Sequence, residues 1–315
     1  MGHIQVDNAM QFRFWGTRGS IATPGPSTVR YGGNTSCVQL ITPAGETVVL
    51  DCGTGARPLG NKLVAEASGK SRITILLTHT HWDHIQGFPF FAPLFVPGTD
   101  VDVYGPDQAR ASLRDVLAGQ MEHRYFPVEL DQLSARITYR DLSEGTFEIA
   151  GLKINAQRMN HPSTTLGFRI EADKACVCYL CDHEPFFEDV WRAGAEPGRL
   201  ESILDPGDLR HAQFMRDADV VIHEAQWAPE EYSDKKNWGH SSYTYVIPLA
   251  AAAGVRRLVL THHDPSHDDA FMDRLERRAQ ALAAQLDSDL DVSFAYEGME
   301  VEVEIPARAV ALRQL

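Results

Sequence analysis

The segment HTHWDH, residues 79–84, carries four side chains of the types that bind metal ions. In an extended segment, residues two apart point to the same side, so His79 and His81 can hold one ion together. Asp83 and His84 fall where the chain turns toward the next element, and they could face a second ion. Because histidine and aspartate are poor core residues unless they are paired, we interpret this segment as metal-binding.

Three further apolar segments end in side chains of the same kinds. Residues 258–268 read LVLTHHDPSHD and repeat the pattern of ILLTHTHWDH, which spans residues 75–84. The segment YLCDHE places Asp182 after an apolar run, and VVIHEA places His223 and Glu224 there. Sites in α/β folds are built where strands end at their carboxyl edge. We therefore predict that four buried strands deliver these side chains to one edge of a fold.

The elements that must position these side chains are short strands that alternate with helices. The sequence predicts strands at Phe12–Trp15, Cys37–Thr42, Thr47–Asp51, Ile73–Thr78, Val101–Tyr104, Ile154–Met159, Leu166–Glu171, Ala175–Cys181, Val220–His223, Arg257–Thr261 and Val292–Tyr296. It predicts helices at Arg57–Ser68, Pro106–Leu117, Ser241–Ala253 and Asp269–Leu286. No Gly/Ser-rich linker or low-complexity block divides the chain, so we expect residues 1–315 to form a single domain.

The order of these motifs resembles that of the metallo-β-lactamase superfamily. HTHWDH at residues 79–84 is similar to the family's His-x-His-x-Asp-His signature, and NHP at 160–162, CDHE at 181–184 and LTH at 260–262 follow in the family's order. The resemblance covers nearly the whole chain. It implies an α/β fold, namely an αβ/βα four-layer sandwich of two mixed β-sheets flanked by helices, with metal ions at one edge.

The resemblance also implies a set of ligands for two divalent metal ions. One ion would be held by His79, His81 and His161, the other by Asp83, His84 and His262, with Asp182 bridging the two. Imidazole and carboxylate ligands without thiolate suit zinc, and also manganese or iron. Two ions about 3.5–4 Å apart can hold a bridging hydroxide. His263 is an alternative to His262, which we prefer because it follows Leu-x-Leu-Thr as His79 follows Leu-Leu-Thr.

Three features are similar to the ribonuclease Z and phosphodiesterase branch of this superfamily. The turn DCGTG at residues 51–55 implies that Asp51 orients the signature loop, although an ordinary turn after a strand explains it equally well. HEA at 223–225 resembles the branch's His-Glu-Ala-Thr element, with Gln226 in place of Thr. GHS at 239–241 resembles its His-Ser-Thr loop.

These elements imply that Glu224 and His240 form a proton relay to the leaving oxygen. His240 could instead cap the helix that begins near Ser241. We take Asp83, Glu224 and His240 as candidate catalytic residues. A positioned acid of this kind accelerates a reaction about 10²–10⁴-fold.

Candidates for binding the substrate are His183, Arg30 and Asn34. His183 lies next to Asp182. Arg30 and Asn34 belong to the loop Gly16–Ser36, where GGNT at 32–35 could present backbone N–H groups to an anion. A purely structural turn is the alternative that we favour for this loop. The aromatic and charged residues of Tyr232–Trp238 indicate a lid.

The formal net charge of −14 argues against long nucleic acids as partners, because a polyanion would be repelled. Ribonuclease Z itself fits poorly, since His161 and Asp182 are 21 positions apart and leave no room for that enzyme's arm for transfer RNA. A small anionic substrate remains compatible, because bound metal ions invert the field locally. The odd number of cysteines, five, argues against a disulfide framework. Cys176, Cys178 and Cys181 are expected to be core residues.

We therefore expect a metal-dependent hydrolase, a phosphodiesterase for a small phosphodiester or cyclic nucleotide. Alternatives are a hydrolase of a carbon ester, lactam or thioester, a di-iron redox or sensor protein, and a binding module that has lost its activity. No apolar run approaches the roughly 20 residues that span a bilayer, and no basic, apolar leader precedes the first strand. We expect no membrane partner and a cytoplasmic protein, and the resemblance implies a possible homodimer.

Overall fold

The computed structural model describes residues 9–67, 71–108, 111–187, 190–191, 199–286 and 288–305. Within these ranges the strands are β1 (Ala9–Gly16), β2 (Cys37–Ile41), β3 (Thr47–Leu50), β4 (Arg72–Leu76), β5 (Asp100–Pro106), β6 (Arg136–Leu142), β7 (Gly145–Ile149), β8 (Leu152–Arg158), β9 (Leu166–Ala172), β10 (Ala175–Leu180), β11 (Val220–Glu224), β12 (Arg257–Thr261), β13 (Asp291–Phe294) and β14 (Glu300–Glu304). The α-helices are α1 (Ala56–Glu66), α2 (Trp82–Ile85), α3 (Leu113–Gln120), α4 (Pro206–Phe214), α5 (Pro229–Tyr232), α6 (Tyr243–Ala252) and α7 (Asp269–Ala283).

The strands form two seven-stranded mixed sheets. The first has the order β14-β1-β2-β3-β4-β5-β6, and the second has the order β13-β12-β11-β10-β9-β8-β7. In the first sheet, β3 to β6 pair in parallel and the other pairs are antiparallel. In the second sheet, β10 to β13 are parallel and the others antiparallel. The predicted fold class, two mixed sheets flanked by helices, is confirmed.

Three hydrophobic cores hold the layers together. The central core lies between the sheets and includes Phe12 and Phe14 of β1 and Phe168 of β9. A second core joins α1 and α3 to the first sheet. A third joins α4, α6 and α7 to the second sheet. Fully burying a Leu- or Phe-sized side chain stabilises a fold by about 1.5–3 kcal/mol, so the two sheets form a rigid frame for the residues at their edge.

At one edge of the fold, three strands are followed by a non-glycine residue with a left-handed backbone. Asp51 follows β3 with φ 58°, Asp182 follows β10 closely with φ 53°, and His262 follows β12 with φ 62°. Aspartate visits this region at modest cost, whereas histidine does so less often. Such residues persist where the surrounding structure over-determines them, typically at functional sites. All three lie at the edge where the parallel strands end.

Each of the eleven predicted strands has a counterpart, and the boundaries differ by a few residues. The predicted helix at Pro106–Leu117 is wrong in its first half, because β5 continues to Pro106 and a capping box at Ser112 starts α3 at Leu113. The prediction missed β6, β7 and β14, which are edge strands of the two sheets, and it missed α4. All five cysteines are free and buried, as expected. None of the described helices is both long and apolar enough to cross a membrane.

Candidate active site

Side chains from both sheets meet at the edge where the parallel strands end. The segment after β4 contributes His79 and His81 and continues into α2 with Asp83 and His84. The second sheet contributes one residue each after β8, β10 and β12, namely His161, Asp182 and His262. Because the two sheets are packed face to face, residues distant in sequence converge on one place, where His81 is exposed and most of the others are buried. The structure thus brings all seven predicted metal ligands together.

The first group consists of His79, His81, His161 and Asp182. Oδ2 of Asp182 lies 3.3 Å from Nε2 of His79 and 3.5 Å from Nε2 of His161. Nε2 of His161 lies 3.1 Å from Nδ1 of His81. The ligand atoms of this group all lie within 4.8 Å of one another, close enough for the four side chains to hold one ion.

The second group consists of Asp83, His84 and His262, with Asp182 alongside. Nε2 of His262 lies 3.1 Å from both Oδ2 of Asp83 and Nε2 of His84. Oδ1 of Asp182 lies 3.3 Å from Nε2 of His84 and 3.2 Å from Nε2 of His262. The two oxygens of Asp182 therefore face different groups, as a carboxylate that bridges two ions would do.

The donor atoms of both groups fit a cation. Among the buried side-chain atoms without a hydrogen-bond partner are Nε2 of His79 and Oδ1 of Asp182. Burial lowers the pKa of His81 to about 4 and that of His161 to about 3, so both imidazoles are neutral at pH 7, as metal ligands must be. Burial also disfavours a charged His84, but Asp182, Asp83 and Asp51 together raise its pKa well above the usual value. The second group therefore favours positive charge.

Asp51 orients His84 from behind the cluster. Its Oδ2 lies 2.9 Å from Nδ1 of His84 and accepts a hydrogen bond from the Tyr179 hydroxyl at 2.9 Å. Its Oδ1 accepts a hydrogen bond from the backbone N–H of Thr78 at 2.7 Å. In the neutral ring that a metal ion would bind, Nδ1 of His84 donates to this carboxylate and Nε2 keeps its lone pair toward the ligand cluster. The structure thus places Asp51 in the orienting position that the resemblance implied.

Three further contacts orient the ligands, and sequence reasoning missed them. The side-chain oxygen of Gln226 lies 3.1 Å from Nδ1 of His262. The backbone N–H of Ser20 donates to Oδ2 of Asp83 at 2.7 Å. These partners lie outside the ligand motifs, so no spacing rule in the sequence could have identified them.

The third contact anchors a loop to the first group. Nδ1 of His161 donates to the backbone carbonyl of Gly239 at 2.9 Å. The carboxylate of Glu184 in turn accepts hydrogen bonds from the backbone N–H groups of Asn237, at 2.6 Å, and Gly239, at 2.9 Å. Gly239 has φ +87°, and a Cβ there would overlap the His161 ring. Glycine is therefore required for this close approach.

His262, and not its neighbour His263, belongs to the ligand cluster. Nε2 of His263 donates to the carbonyl of Ala295 at 2.8 Å, and its ring stacks on Phe294. Burial lowers the pKa of His263 to about 3, so the ring is neutral. His263 therefore holds β12 to the segment after β13, and the choice between the two histidines follows from this geometry.

Glu224 and His240 lie beside the cluster. Nδ1 of His240 is 3.6 Å from Oε2 of Glu224, and its ring stacks on that of His262 with 5.1 Å between the centroids. Burial opposes a charged His240, but Asp182 and Glu224 outweigh burial and raise its pKa. The helix α6 has Ser242 as its N-cap, so His240 does not cap it. The pair is placed to hold a proton next to both ligand groups.

The structure places the three candidates for substrate binding in contacts within the fold. His183 is fully buried, accepts the backbone N–H of Asn160 at 3.1 Å and contacts the Tyr245 hydroxyl at 3.2 Å. Arg30 forms a bidentate pair with Asp273 on α7. Each side chain is thereby engaged in joining elements of the fold.

Asn34 is also engaged within the fold, as are the backbone N–H groups of Gly32 and Thr35 beside it. Its backbone N–H and its side-chain amide both donate to the carboxylate of Glu297, at 2.6 and 3.0 Å. The N–H of Gly32 donates to Thr28, and that of Thr35 donates to Thr54. The favoured expectation, a structural turn, therefore agrees with these contacts.

Comparison with known proteins gives the family and the fold. The pattern of a protein family described as "Beta-lactamase superfamily domain" matches residues 46–263, well over half of the chain. A ribonuclease Z of Bacillus cereus (strain G9842) is 25% identical over 91% of this chain and 100% of that protein.

Two solved structures have the same fold. The metallo-beta-lactamase fold protein YhfI from Bacillus subtilis covers 94% of this chain and 100% of its own, with a TM-score of 0.64 and 17% identity. A diphosphatase of the PhnP family covers 94% and 98%, with a TM-score of 0.61 and 18% identity. At these identities the two structures establish the fold alone.

Proposed function

The chain belongs to the beta-lactamase superfamily, and from this premise we propose that it hydrolyses a small phosphodiester, such as a cyclic nucleotide, with two divalent metal ions. The observation that carries the proposal is the orientation of the Asp182 carboxylate, whose two oxygens face different groups of histidines. Its Oδ2 faces His79 and its Oδ1 faces His262. A carboxylate in this position suits a pair of ions that act on one phosphorus centre.

Zinc is the ion that the ligands favour, because imidazole and carboxylate donors without thiolate suit it, as they also suit manganese and iron. When bound, such ions polarise the phosphoryl oxygens and lower the pKa of water at the site. The protein's own contribution is orientation. Asp51, Gln226 and the Gly239 carbonyl each hold the outer nitrogen of one ligand histidine, so the inner nitrogens point to a common centre.

Glu224 and His240 would supply the proton for the leaving alcohol. The Glu224 carboxylate lies 3.6 Å from Nδ1 of His240, so it stabilises the imidazolium form of that ring. Once the P–O bond breaks, the departing alkoxide would take this proton from His240. A phosphodiester needs such an acid because an alkoxide is a poor leaving group, whereas a strained lactam or thioester needs it less.

The region between His161 and Asp182 supports a small substrate. It is filled by the hairpin of β9 and β10, and the described chain has no protruding arm there. The negative net charge of −14 also disfavours an extended polyanion. The related B. cereus protein is named for a ribonuclease, and the PhnP-family neighbour is described as a diphosphatase, so both names belong to the chemistry of phosphorus esters.

The test is an assay of zinc-loaded protein on bis(p-nitrophenyl) phosphate, nitrocefin and p-nitrophenyl acetate. We expect turnover of the diester and loss of that turnover in Asp182→Ala. For His240→Ala we expect kcat to fall about 10²–10⁴-fold on a cyclic nucleotide, whose leaving group is an alkoxide. The fall on bis(p-nitrophenyl) phosphate should be much smaller, because p-nitrophenolate leaves readily without an acid. Metal content measured on each variant separates loss of the ions from loss of the acid. Turnover of the acetate or nitrocefin alone would contradict the phosphodiester proposal and favour a carbon-ester or lactam substrate.

A further inference from the structure

Trp238 presents an unusually exposed indole next to the candidate active site. It is 58% exposed, whereas a tryptophan normally buries most of its large apolar ring. Its neighbour in sequence is Gly239, whose carbonyl holds the ligand His161. In space, its ring lies 6.1 Å from that of Trp227, which lies 5.9 Å from that of His240. One aromatic ring therefore separates Trp238 from the candidate general acid.

The residues on either side of Trp238 in the sequence are hydrogen-bonded, and a lysine lies against its ring. The backbone N–H groups of Asn237 and Gly239 both donate to the carboxylate of Glu184. The ammonium of Lys235 lies 4.5 Å from the centroid of the Trp238 ring and 5.1 Å from that of Trp227. The backbone on both sides of the exposed ring is thus hydrogen-bonded to Glu184, and the Gly239 carbonyl joins it to the cluster through His161.

The charge around Trp238 suits an anionic substrate with an aromatic group. Among the described residues, Lys235 has no carboxylate partner, although the chain carries 43 acidic residues. A cation on one face of an indole leaves the opposite face for stacking with an electron-rich ring. A phosphodiester with a flat aromatic ester group, of which a nucleobase is the biological form, matches both features.

We infer that Trp238, backed by Lys235, forms a subsite that stacks the nucleobase of a cyclic nucleotide. The inference rests on the proposed phosphodiesterase activity and narrows its substrate class. Stacking of a base on an aromatic side chain corresponds to a change of about 5- to 150-fold in affinity. The affinity gained from stacking should raise kcat/KM for substrates that carry a base and should be absent for substrates that lack one.

The test compares two substrates that differ only in the base. Adenosine cyclic phosphate and the cyclic phosphate of methyl riboside are assayed with zinc-loaded protein, both as 2′,3′- and as 3′,5′-esters. In Trp238→Ala we expect kcat/KM for the adenosine ester to fall about 5- to 150-fold and that for the methyl riboside ester to stay within about twofold. Trp238→Phe should recover part of the loss, because phenylalanine keeps a smaller stacking face.

The matched control is Tyr125→Ala, which removes another exposed aromatic ring, 70% exposed, that contacts none of the cluster residues. Tyr125→Ala should leave kcat/KM unchanged for both substrates. An equal fall for both substrates in Trp238→Ala would overturn the subsite, because Trp238 would then only support the loop. If the wild-type protein turns over bis(p-nitrophenyl) phosphate but neither cyclic ester, the cyclic nucleotide is refuted as the substrate while the proposed function stands. If it hydrolyses none of the three, the proposed function fails, and calorimetry with AMP and ribose 5-phosphate decides the subsite. The same preference for AMP in wild type and Trp238→Ala would overturn it.

Discussion

Replacing Asp51 with asparagine should weaken zinc binding by the second group, although none of the predicted ligand residues is itself changed. Asparagine adopts a left-handed backbone as readily as aspartate, so the φ of 58° adds no strain. The backbone N–H of Thr78 is a fixed donor, 2.7 Å from Oδ1. The single carbonyl oxygen of the introduced amide must therefore face Thr78, and the NH₂ group of that amide takes the place of Oδ2.

The consequence falls on His84. In the native protein Oδ2 of Asp51 is 2.9 Å from Nδ1 of His84, so that nitrogen carries the proton. An NH₂ group at this position needs an acceptor, which moves the proton of His84 to Nε2, the nitrogen that faces His262. The lone pair that should bind the ion is then lost. Changes to such orienting partners weaken metal affinity about 10- to 100-fold, which corresponds to about 1.4–2.7 kcal/mol.

The assay is a zinc titration of metal-free protein in competition with a chromophoric chelator, which resolves two binding steps. We expect Asp51→Asn to weaken one step about 10- to 100-fold and to leave the other unchanged. Tyr179→Phe is the matched control, because it removes the hydroxyl that donates to Oδ2 but keeps the carboxylate on His84. It should lower the free energy of unfolding by about 1 kcal/mol and leave both affinities unchanged. Equal effects of the two substitutions would refute the tautomer argument.

Three other predictions address the ligands and the loop. His262→Ala should reduce bound zinc from two equivalents to one in mass spectrometry, whereas His263→Ala should keep both and lose about 1–3 kcal/mol of stability in urea unfolding. Gly239→Ala should abolish zinc binding by the first group, because the added Cβ overlaps the ring of His161. The control Gly98→Ala, with φ +86° but open space around it, should lower the free energy of unfolding by only about 1 kcal/mol. Equal zinc binding by the two variants would contradict this prediction. Glu184→Gln should lower kcat about tenfold, because the introduced NH₂ group would face one of the two backbone N–H groups that now donate to the carboxylate. An unchanged kcat would show that these two hydrogen bonds are dispensable for catalysis.

The residues of the His/Asp cluster were predictable because their chemistry is conspicuous. His79, His81, Asp83 and His84 occur within six residues, and histidine and aspartate at the ends of apolar strands have few structural uses. The strands themselves were predictable from apolar runs, since parallel strands buried on both faces contain little else. β6 escaped this reasoning because it is a half-exposed edge strand with alternating polar residues.

The surroundings of the ligands were not predictable, because they depend on contacts between segments far apart in the chain. Asn34 and Arg30 are of the residue types that bind anions, but their side chains donate hydrogen bonds to the carboxylates of Glu297 and Asp273. His183 lies beside a ligand in sequence, yet its side chain points to the opposite side of the strand end and into the helix layer. Sequence spacing predicts which residues share a face, whereas it carries no information about which partner lies opposite.

Gln226 shows how the cluster joins the two halves of the fold. Its side-chain oxygen lies 3.1 Å from His262, which belongs to the second sheet, and its amide donates to the Ser20 hydroxyl at 3.2 Å. The N–H of Ser20 in turn holds Asp83, which follows the first sheet. Each ligand group also combines residues of both sheets, so any ion bound there links the two sheets directly. Because a ligand that binds only the folded state adds its binding free energy to stability, metal binding and the packing of the sandwich must reinforce each other.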